Sequence, residues 1–422
     1  MNNRFTLAAM LLPLTMGVVS CTSSKRMNED SKATTMNGEG ITDEDHLILN
    51  DAQTDYISRY NDFAFKFFSK TAGFDSKVTS PLSASYLLGM LANGTDGNTH
   101  KEILKVMEAG SMTADDINAV YRQLLEKQSR LDSSTVINTA NYIAMNRNYH
   151  MKNGFASTVK SCYKAAAESL DFSSPEATRH INEWCKEKTS GLIPKIIEET
   201  SADDISYIMN AIYFNGTWQS RFDPEMTKKE RFQGYTRDIK RADMMHQKDK
   251  FMYVAGKDCS AVILPYGNGT FTMTVLLPDE GKSVQDMMQH FNADSFADLL
   301  SKAEEYTVDL KLPRFTTETE VQLNGVISQL GAPSVFSAGA DFSRFADGSF
   351  HISKMLQKAK IEVNETGTKA AAVTTAIVAL TALEPDEPKC VNFHANLPFA
   401  YVISERSNGV IFFSGQFTGD EL

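Results

Sequence analysis

Cysteine is scarce, with five in 422 residues. One, Cys21, lies close to the N-terminus. Cys162, Cys185, Cys259 and Cys390 form no Cys-x-x-Cys pair and have no histidine at zinc-finger spacing, which argues against a structural metal site. Four thiols in so long a chain also make no dense disulfide framework, so they are expected to be mostly free and buried. Runs of five or more Lys/Arg are missing, and basic residues do not alternate with aromatic ones. Together with a formal net charge of −11, this removes nucleic acid from the expected partners. Internal repeats are missing, and no Pro/Gly/Ser-rich linker interrupts residues 51–418. One domain over that span is expected, with 419–422 as a tail. Hydrophobic residues make up 42%, enough for a sizeable core.

Motifs that carry catalysis are missing as well. The chain holds no Gly-x-Ser-x-Gly elbow, no His-Glu-x-x-His and no Walker phosphate loop. Gly267-Asn268-Gly269 follows a strand-like run and reads as a hairpin turn, because no third glycine opens a helix. His246, between Asp243 and Asp249, reads as a solvated loop histidine. No enzymatic activity, metal or cofactor is expected.

What is present begins with a leader. Residues 1–20 carry Arg4 and then an apolar stretch from Phe5 to Val19, shorter than the ~20 residues a membrane span needs and laid out as a secretory signal. Val18-Val19-Ser20-Cys21 resembles a bacterial lipobox, which implies cleavage before Cys21 and lipid on its thiol. The alternative is an ordinary signal peptide with an incidental cysteine. The polar residues that follow make 21–50 a flexible tether. An exported lipoprotein, periplasmic or on the cell surface or released outside the cell, is therefore expected.

Beyond the tether, Tyr56, Tyr60, Phe63 and Phe67 fall at helical spacing and predict a helix over 54–70. Further helices are predicted after Ser80-Pro81 at 83–90, over 113–127 and 152–168, and at 181–188. Strands are predicted at 207–214, 271–277, 308–312, 398–403 and 410–417. Helices dominate the first half and strands the second, an α+β pattern.

Residues 361–383 fit neither half. From Thr368, one face of an extended chain would carry Thr368, Ala370, Ala372, Thr374, Ala376 and Val378, all small and uncharged. The other face holds Lys369. The run ends in the polar loop Glu384-Pro385-Asp386-Glu387-Pro388. A segment able to enter a sheet, but bounded by loop, suggests a conformational trap.

Asn364-Glu365-Thr366-Gly367-Thr368-Lys369-Ala370-Ala371-Ala372 resembles the hinge of the serpins, inhibitors that trap proteases by changing shape. Ser80-Pro81-Leu82-Ser83, Asn93-Gly94-Thr95, Ile181-Asn182-Glu183-Trp184, Asn210-Ala211-Ile212-Tyr213-Phe214-Asn215-Gly216-Thr217-Trp218, Leu312-Pro313-Arg314-Phe315 and Leu397-Pro398-Phe399 follow in family order. The resemblance runs from about residue 55 to 418. It implies three β-sheets, about nine helices and an exposed reactive loop after Gly367.

It also implies roles. Glu365, Gly367, Thr368, Ala370, Ala372 and Thr374 would form the hinge. Glu365 and Arg314 would pair where insertion begins. Ser80, Ser83 and Asn210 would form a polar cluster beneath the large sheet, with Gln357 where the family usually has histidine. Thr79 stands for a usual Phe, and Gln416 for a usual basic residue. Counting into the loop from Glu365 places the reactive bond at Thr381–Ala382, with Leu380–Thr381 and Leu383–Glu384 as rivals. No Lys or Arg lies between Lys369 and Lys389. Elastase-, subtilisin- and chymotrypsin-like proteases are therefore favoured as partners over trypsin-like ones, and papain-like enzymes fit too. The protein is expected to be a monomer. The alternative within the family is a non-inhibitory binding or carrier protein, which the small residues at the hinge oppose.

Overall fold

The computed structural model describes residues 47–236, 239–367 and 389–422, all within one unit spanning Thr42–Leu422. Nine α-helices form among these residues: α1 (Asp51–Thr71), α2 (Pro81–Gly94), α3 (Gly97–Val106), α4 (Ala114–Lys127), α5 (Asn153–Tyr163), α6 (Pro175–Lys188), α7 (Val284–Met288), α8 (Ala293–Ser301) and α9 (Asn324–Leu330). The strands begin with β1 (Lys77–Thr79), β2 (Thr135–Asn146), β3 (Ala166–Leu170), β4 (Ser206–Gly216), β5 (Lys228–Gln233), β6 (Ile239–Ala255) and β7 (Cys259–Pro265). They continue with β8 (Phe271–Pro278), β9 (Glu304–Pro313), β10 (Phe315–Gln322), β11 (Lys354–Val363), β12 (Cys390–His394), β13 (Phe399–Glu405) and β14 (Ile411–Phe417).

Local chemistry sets most boundaries. Asn50 and Gln53 close a capping box at the start of α1, and Thr113 and Asp116 close one at α4. Ser80 caps α2, with Pro81 in the first turn. The same Ser-Pro signal, Ser174-Pro175, starts α6 six residues ahead of Ile181. Its first turn is polar, so apolar spacing alone does not reveal it. The helix predicted over 152–168 stops at Tyr163, because Lys164 adopts φ 51° and breaks the spiral. Residues 166–170 then pair in parallel with Tyr142–Asn146. The turn at Gly267–Gly269 joins antiparallel β7 and β8, as its sequence predicts.

Five strands form the first sheet, in the order β10-β11-β4-β2-β3. β4 lies at its centre and is buried at all but one position, which explains its nearly unbroken apolar sequence. β11 and β4 run parallel, from Lys354 opposite Tyr207 to Ile361 opposite Phe214. The remaining nine strands follow one path, β1-β14-β13-β8-β7-β6-β9-β12, with β5 on β6. β7 joins β6 through only four pairs, Met252–Ala255. The path therefore divides there into β1-β14-β13-β8-β7 and a smaller group of β5, β6, β9 and β12. With the first sheet this makes three.

The main core fills the space between the helices and these sheets. A second, smaller core lies on the other face of the five-stranded sheet, where Ile181 and Cys185 of α6 pack with Tyr142, Tyr207, Met209 and Leu356. Helices α1, α2, α4 and α5 meet through buried tyrosines: Tyr56 and Tyr121 share a hydrogen bond at 2.6 Å, and Tyr163 donates to Asn118 at 2.6 Å. Burial raises Tyr56 to about 12 against the partial relief from Tyr121 and Ser85. Gly89 makes room for this cluster, since a Cβ there would lie 2.5 Å from the Tyr163 hydroxyl and 3.1 Å from the Tyr121 ring. Gly89→Ala is expected to cost about 1–3 kcal/mol by overpacking, read as a lower denaturation midpoint.

Candidate functional site

The chain reverses direction as it leaves β11. Asn364 N–H donates to the Gly367 carbonyl at 2.8 Å, and Gly367 N–H donates back to the Asn364 carbonyl at 3.1 Å. The Asn364 side chain accepts from Thr366 N–H at 3.0 Å and from its hydroxyl at 2.7 Å, so the turn is held from within. Gly367 bridges Asn364 on one side and Thr217 on the other, antiparallel to both. Thr217 directly follows β4. Gly367 therefore already sits between the ends of two strands that pair with each other below. Only glycine fits there: φ is +129°, and a Cβ would lie 2.2 Å from the Gly216 carbonyl oxygen. Trp218 closes the top, donating its ring N–H to the Asn364 carbonyl at 2.9 Å and stacking on Tyr266 at 4.3 Å.

Glu365 anchors the same turn. Its carboxylate accepts from Arg314 Nε at 3.2 Å, from Arg314 Nη2 at 2.5 Å and from the Thr227 hydroxyl at 2.6 Å. The Glu365 side chain is 8% exposed and that of Arg314 is 46% exposed. Burial pushes the Glu365 carboxyl up, but the bonds from Arg314 and Thr227 outweigh it and hold the group below its usual range. Arg314 also approaches Asp243 at 4.0 Å.

Beneath the seam between β11 and β4 lies the start of α2. Gln357 accepts from Ser80 N–H at 3.0 Å and donates to the Ser80 carbonyl at 2.7 Å. The Ser80 hydroxyl accepts from Ser83 N–H at 3.1 Å and donates to the Phe412 carbonyl at 2.7 Å. Asn210 stands directly opposite Gln357 across the seam, yet it donates the other way, to Asn141 on β2 at 2.8 Å. Each amide is thus turned to its own side. Ser83 Oγ and Asn210 Oδ1 are buried without a hydrogen-bond partner among the described residues.

Thr368, Ala370, Ala372, Thr374 and the candidate bonds from Leu380 to Glu384 lie outside the described residues, as does Cys21. Cys162, Cys185 and Cys259 are buried free thiols, whereas Cys390 is exposed, contrary to its expected burial, because it opens an edge strand. His246 is not in a loop. It lies on β6 and shares a hydrogen bond with Asp309 at 3.1 Å, and His394 of β12 meets the same oxygen at 3.1 Å. The charges on either side of it in sequence hid its place in a strand. Gln416 donates to the carbonyls of Gly73 and Asp75 at 2.9 and 2.7 Å, so a neutral amide holds that loop. Thr79 is buried on β1 and bonds the Ser414 carbonyl at 3.3 Å; nothing in the structure explains its replacing a larger side chain. Thr227 and Asn141 also belong to the site but went unseen in the sequence, where neither stands in a recognisable pattern.

The family model described as "Serpin (serine protease inhibitor)" matches residues 58–419. The chain belongs to the serpin family. It is 33% identical over 350 residues to the leukocyte elastase inhibitor of Sus scrofa, covering 80% of this chain and 91% of that one. It is 32% identical over 356 residues to the leukocyte elastase inhibitor of Homo sapiens, covering 80% and 92%. Its structure is similar to that of the thermophilic serpin tengpin in the native state, with a TM-score of 0.80, 26% identity and coverage of 88% and 95%. It also resembles thyroxine-binding globulin in complex with thyroxine, with a TM-score of 0.76, 23% identity and coverage of 86% and 99%; that likeness is one of fold.

Three outcomes follow from the geometry. Glu365 is held below its usual 4.5, so its contribution is present above that pH and is lost as pH falls through the lower folded-state value. In a Trp184→Phe background Trp218 is the only tryptophan left, and its fluorescence should report the turn loosening in acid, below 4.5. Arg314→Gln should move that transition to higher pH and cost about 1–2 kcal/mol, the half-exposed guanidinium being screened by water. Gln357→Ala should strand the buried Ser80 N–H, the Ser80 carbonyl keeping its bond from Ala84 N–H at 3.1 Å, and lower stability by about 1–3 kcal/mol in denaturant unfolding.

Proposed function

We propose that the chain is a suicide inhibitor of serine and papain-like cysteine endopeptidases. It traps the acyl-enzyme by inserting the residues after Gly367 between β4 and β11. The observation that carries this reading is the seat of Gly367, bridged to the extensions of both strands and running antiparallel to each. A chain that continued downward from Gly367 would replace one parallel ladder by two antiparallel ones. Parallel pairing is slightly the weaker per residue. A dozen residues gaining about 1 kcal/mol net per hydrogen bond, plus side-chain burial, supply on the order of ten kcal/mol.

The sequence supports the same path, since Thr368, Ala370, Ala372 and Thr374 are small enough to face a core. The protease nucleophile attacks the carbonyl of Thr381, the amine of Ala382 leaves, and the ester or thioester remains on the inserting half. Insertion carries the enzyme away and distorts its site before water attacks the acyl bond. Ser83 Oγ and Asn210 Oδ1, without a hydrogen-bond partner among the described residues, would find new bonds when the strands part. The apolar and small residues around Thr381, and the similarity to leukocyte elastase inhibitors, favour elastase-, subtilisin- or chymotrypsin-like targets. Cys21 would carry lipid and hold the inhibitor, a monomer, at a membrane surface by the 21–50 tether.

Incubation with elastase, subtilisin, trypsin and papain should give an SDS-stable covalent complex with at least one of the first two, and none with trypsin. Loop cleavage without a complex for every enzyme would overturn the inhibitor reading in favour of a carrier or binding role. Thr374→Arg should convert the protein from inhibitor to substrate while its fold is kept, read as a rise in moles of inhibitor consumed per mole of enzyme trapped. Unchanged stoichiometry would show that this side chain does not face the core.

A further inference from the structure

The outward face of the β5–β6 ribbon carries a charge arrangement that costs stability. Residues directly opposite on antiparallel strands lie about 5 Å apart, and like charges there repel. Lys229 faces Asp243, an ion pair at 3.4 Å. At the next outward position Arg231 faces Arg241. Both are exposed, and among the described residues neither makes an ion pair; Arg231 reaches only the Gln233 side chain, at 3.4 Å. Ile239, 58% exposed, shares that face one position further on. From Lys228 to Arg241, six residues are Lys or Arg and two are acidic, a net +4 within a chain of net −11. The ribbon's other face is ordinary, with Phe232 buried against Phe417. The ribbon is therefore anchored from behind, and its front keeps two arginines that have no ion pair among the described residues, beside an exposed aliphatic side chain.

Position adds meaning to that face. β5 starts one residue after Thr227, whose hydroxyl bonds Glu365 two residues before Gly367. Arg231 lies two residues beyond Lys229, roughly 7 Å along the strand. On its far side β6 pairs with β9, and β9 pairs with β12, which the chain enters just after Lys389. The ribbon thus adjoins the Gly367 end of the segment from 368 to 388, whereas the Lys389 end lies level with Lys250, further along β6.

We propose that Arg231 and Arg241, with Ile239, form a docking surface for an acidic patch on the protease that attacks the loop. This rests on the inhibitor reading above. Unpaired arginine forks attract carboxylates from a distance and bind them bidentately at contact. A folded protein, unlike a linear polyanion, also has apolar surface to place on Ile239. The surface raises the rate of encounter and selects among enzymes whose pockets would accept the same loop.

The test uses subtilisin in two forms, native and with its lysines succinylated, which leaves the pocket but makes the surface acidic. At about 20 mM salt, Arg231→Glu/Arg241→Glu should react with the succinylated enzyme about 10-fold more slowly than the parent chain, and the two should converge by about 0.5 M salt. With native subtilisin they should differ less than about twofold. Arg231→Glu alone restores opposite charges across the strands, so its Tm should equal or exceed the parent's, which separates lost docking from lost folding. Equal rates for parent and double variant with the acidic enzyme at low salt would overturn the proposal. So would a loss of heparin binding with no change toward the acidic protease. Succinylated subtilisin whose nucleophilic serine is replaced by alanine separates this proposal from the inhibitor reading. It docks without acylation, and a Kd about 10-fold weaker for the double variant supports the surface even if no covalent complex ever forms, whereas an equal Kd overturns it.

Discussion

The parallel pairing of β11 with β4 is the constraint on which the rest of the site depends. Parallel strands cannot be joined by a tight turn, so the chain leaving β11 needs somewhere else to go. Here it turns within four residues, so that Gly367 runs antiparallel to the ends of the two strands that form the seam. The turn is stable because Asn364 bonds it from inside, Glu365 is tied to Arg314 and Thr227, and Trp218 covers it. Gly367 tolerates the result because it lacks the Cβ that would strike β4's last carbonyl. The seam is closed for its full paired length, from Lys354 to Ile361, and held apart by a single residue just above it.

Much of this was legible in the sequence, for identifiable reasons. Residues whose local chemistry and burial agree announced themselves. Tyr207–Phe214 read as a central strand because β4 is covered on both faces, and Ser80-Pro81 read as a helix start because a cap and a proline both favour that geometry. The pairing of Arg314 with Glu365 was implied only by family resemblance, since the two lie 51 positions apart and no periodicity links them. What stayed hidden was set by tertiary contact. β6 is rich in charge because much of it is exposed, so its 17 residues carry no clean alternation. The stop of α5 depends on one left-handed lysine. Thr227 and Asn141 enter the site through contacts from other strands, and a lone Thr or Asn gives no advance notice of such a role.

The same logic explains where charge is and is not neutralised. On the outer face of the five-stranded sheet, Lys358 and Lys360 of β11 are largely buried and meet Glu318 of β10, and Lys360 also meets Glu362. Burial leaves no choice there, because an unpaired charge away from water is costly. The Arg231–Arg241 pair is exposed, so water and salt lower the cost of leaving it without an ion pair among the described residues. Exposure makes the arrangement tolerable but does not explain it, and nothing in the packing behind β5 and β6 requires arginine at either place.

The polar groups along the seam divide into two kinds with different sensitivities. At the top, Glu365 is titratable, and its bonds to Arg314 and Thr227 depend on its being ionised. Below, the side chain that holds β11 to the start of α2 is Gln357, whose amide neither gains nor loses a proton in the accessible range. Its two bonds go to the backbone of Ser80 and none crosses to Asn210, so they do not by themselves resist the parting of β4 from β11. A histidine at this position would make the lower attachment titratable near neutrality. With glutamine there, the lower attachment is indifferent to acid. Within the Glu365 and Gln357 contacts, pH sensitivity is thereby confined to the turn where insertion would begin, and the resistance to opening below it rests on the backbone ladder between β11 and β4 and on contacts at its lower end such as Lys354 with Asp204 at 3.1 Å.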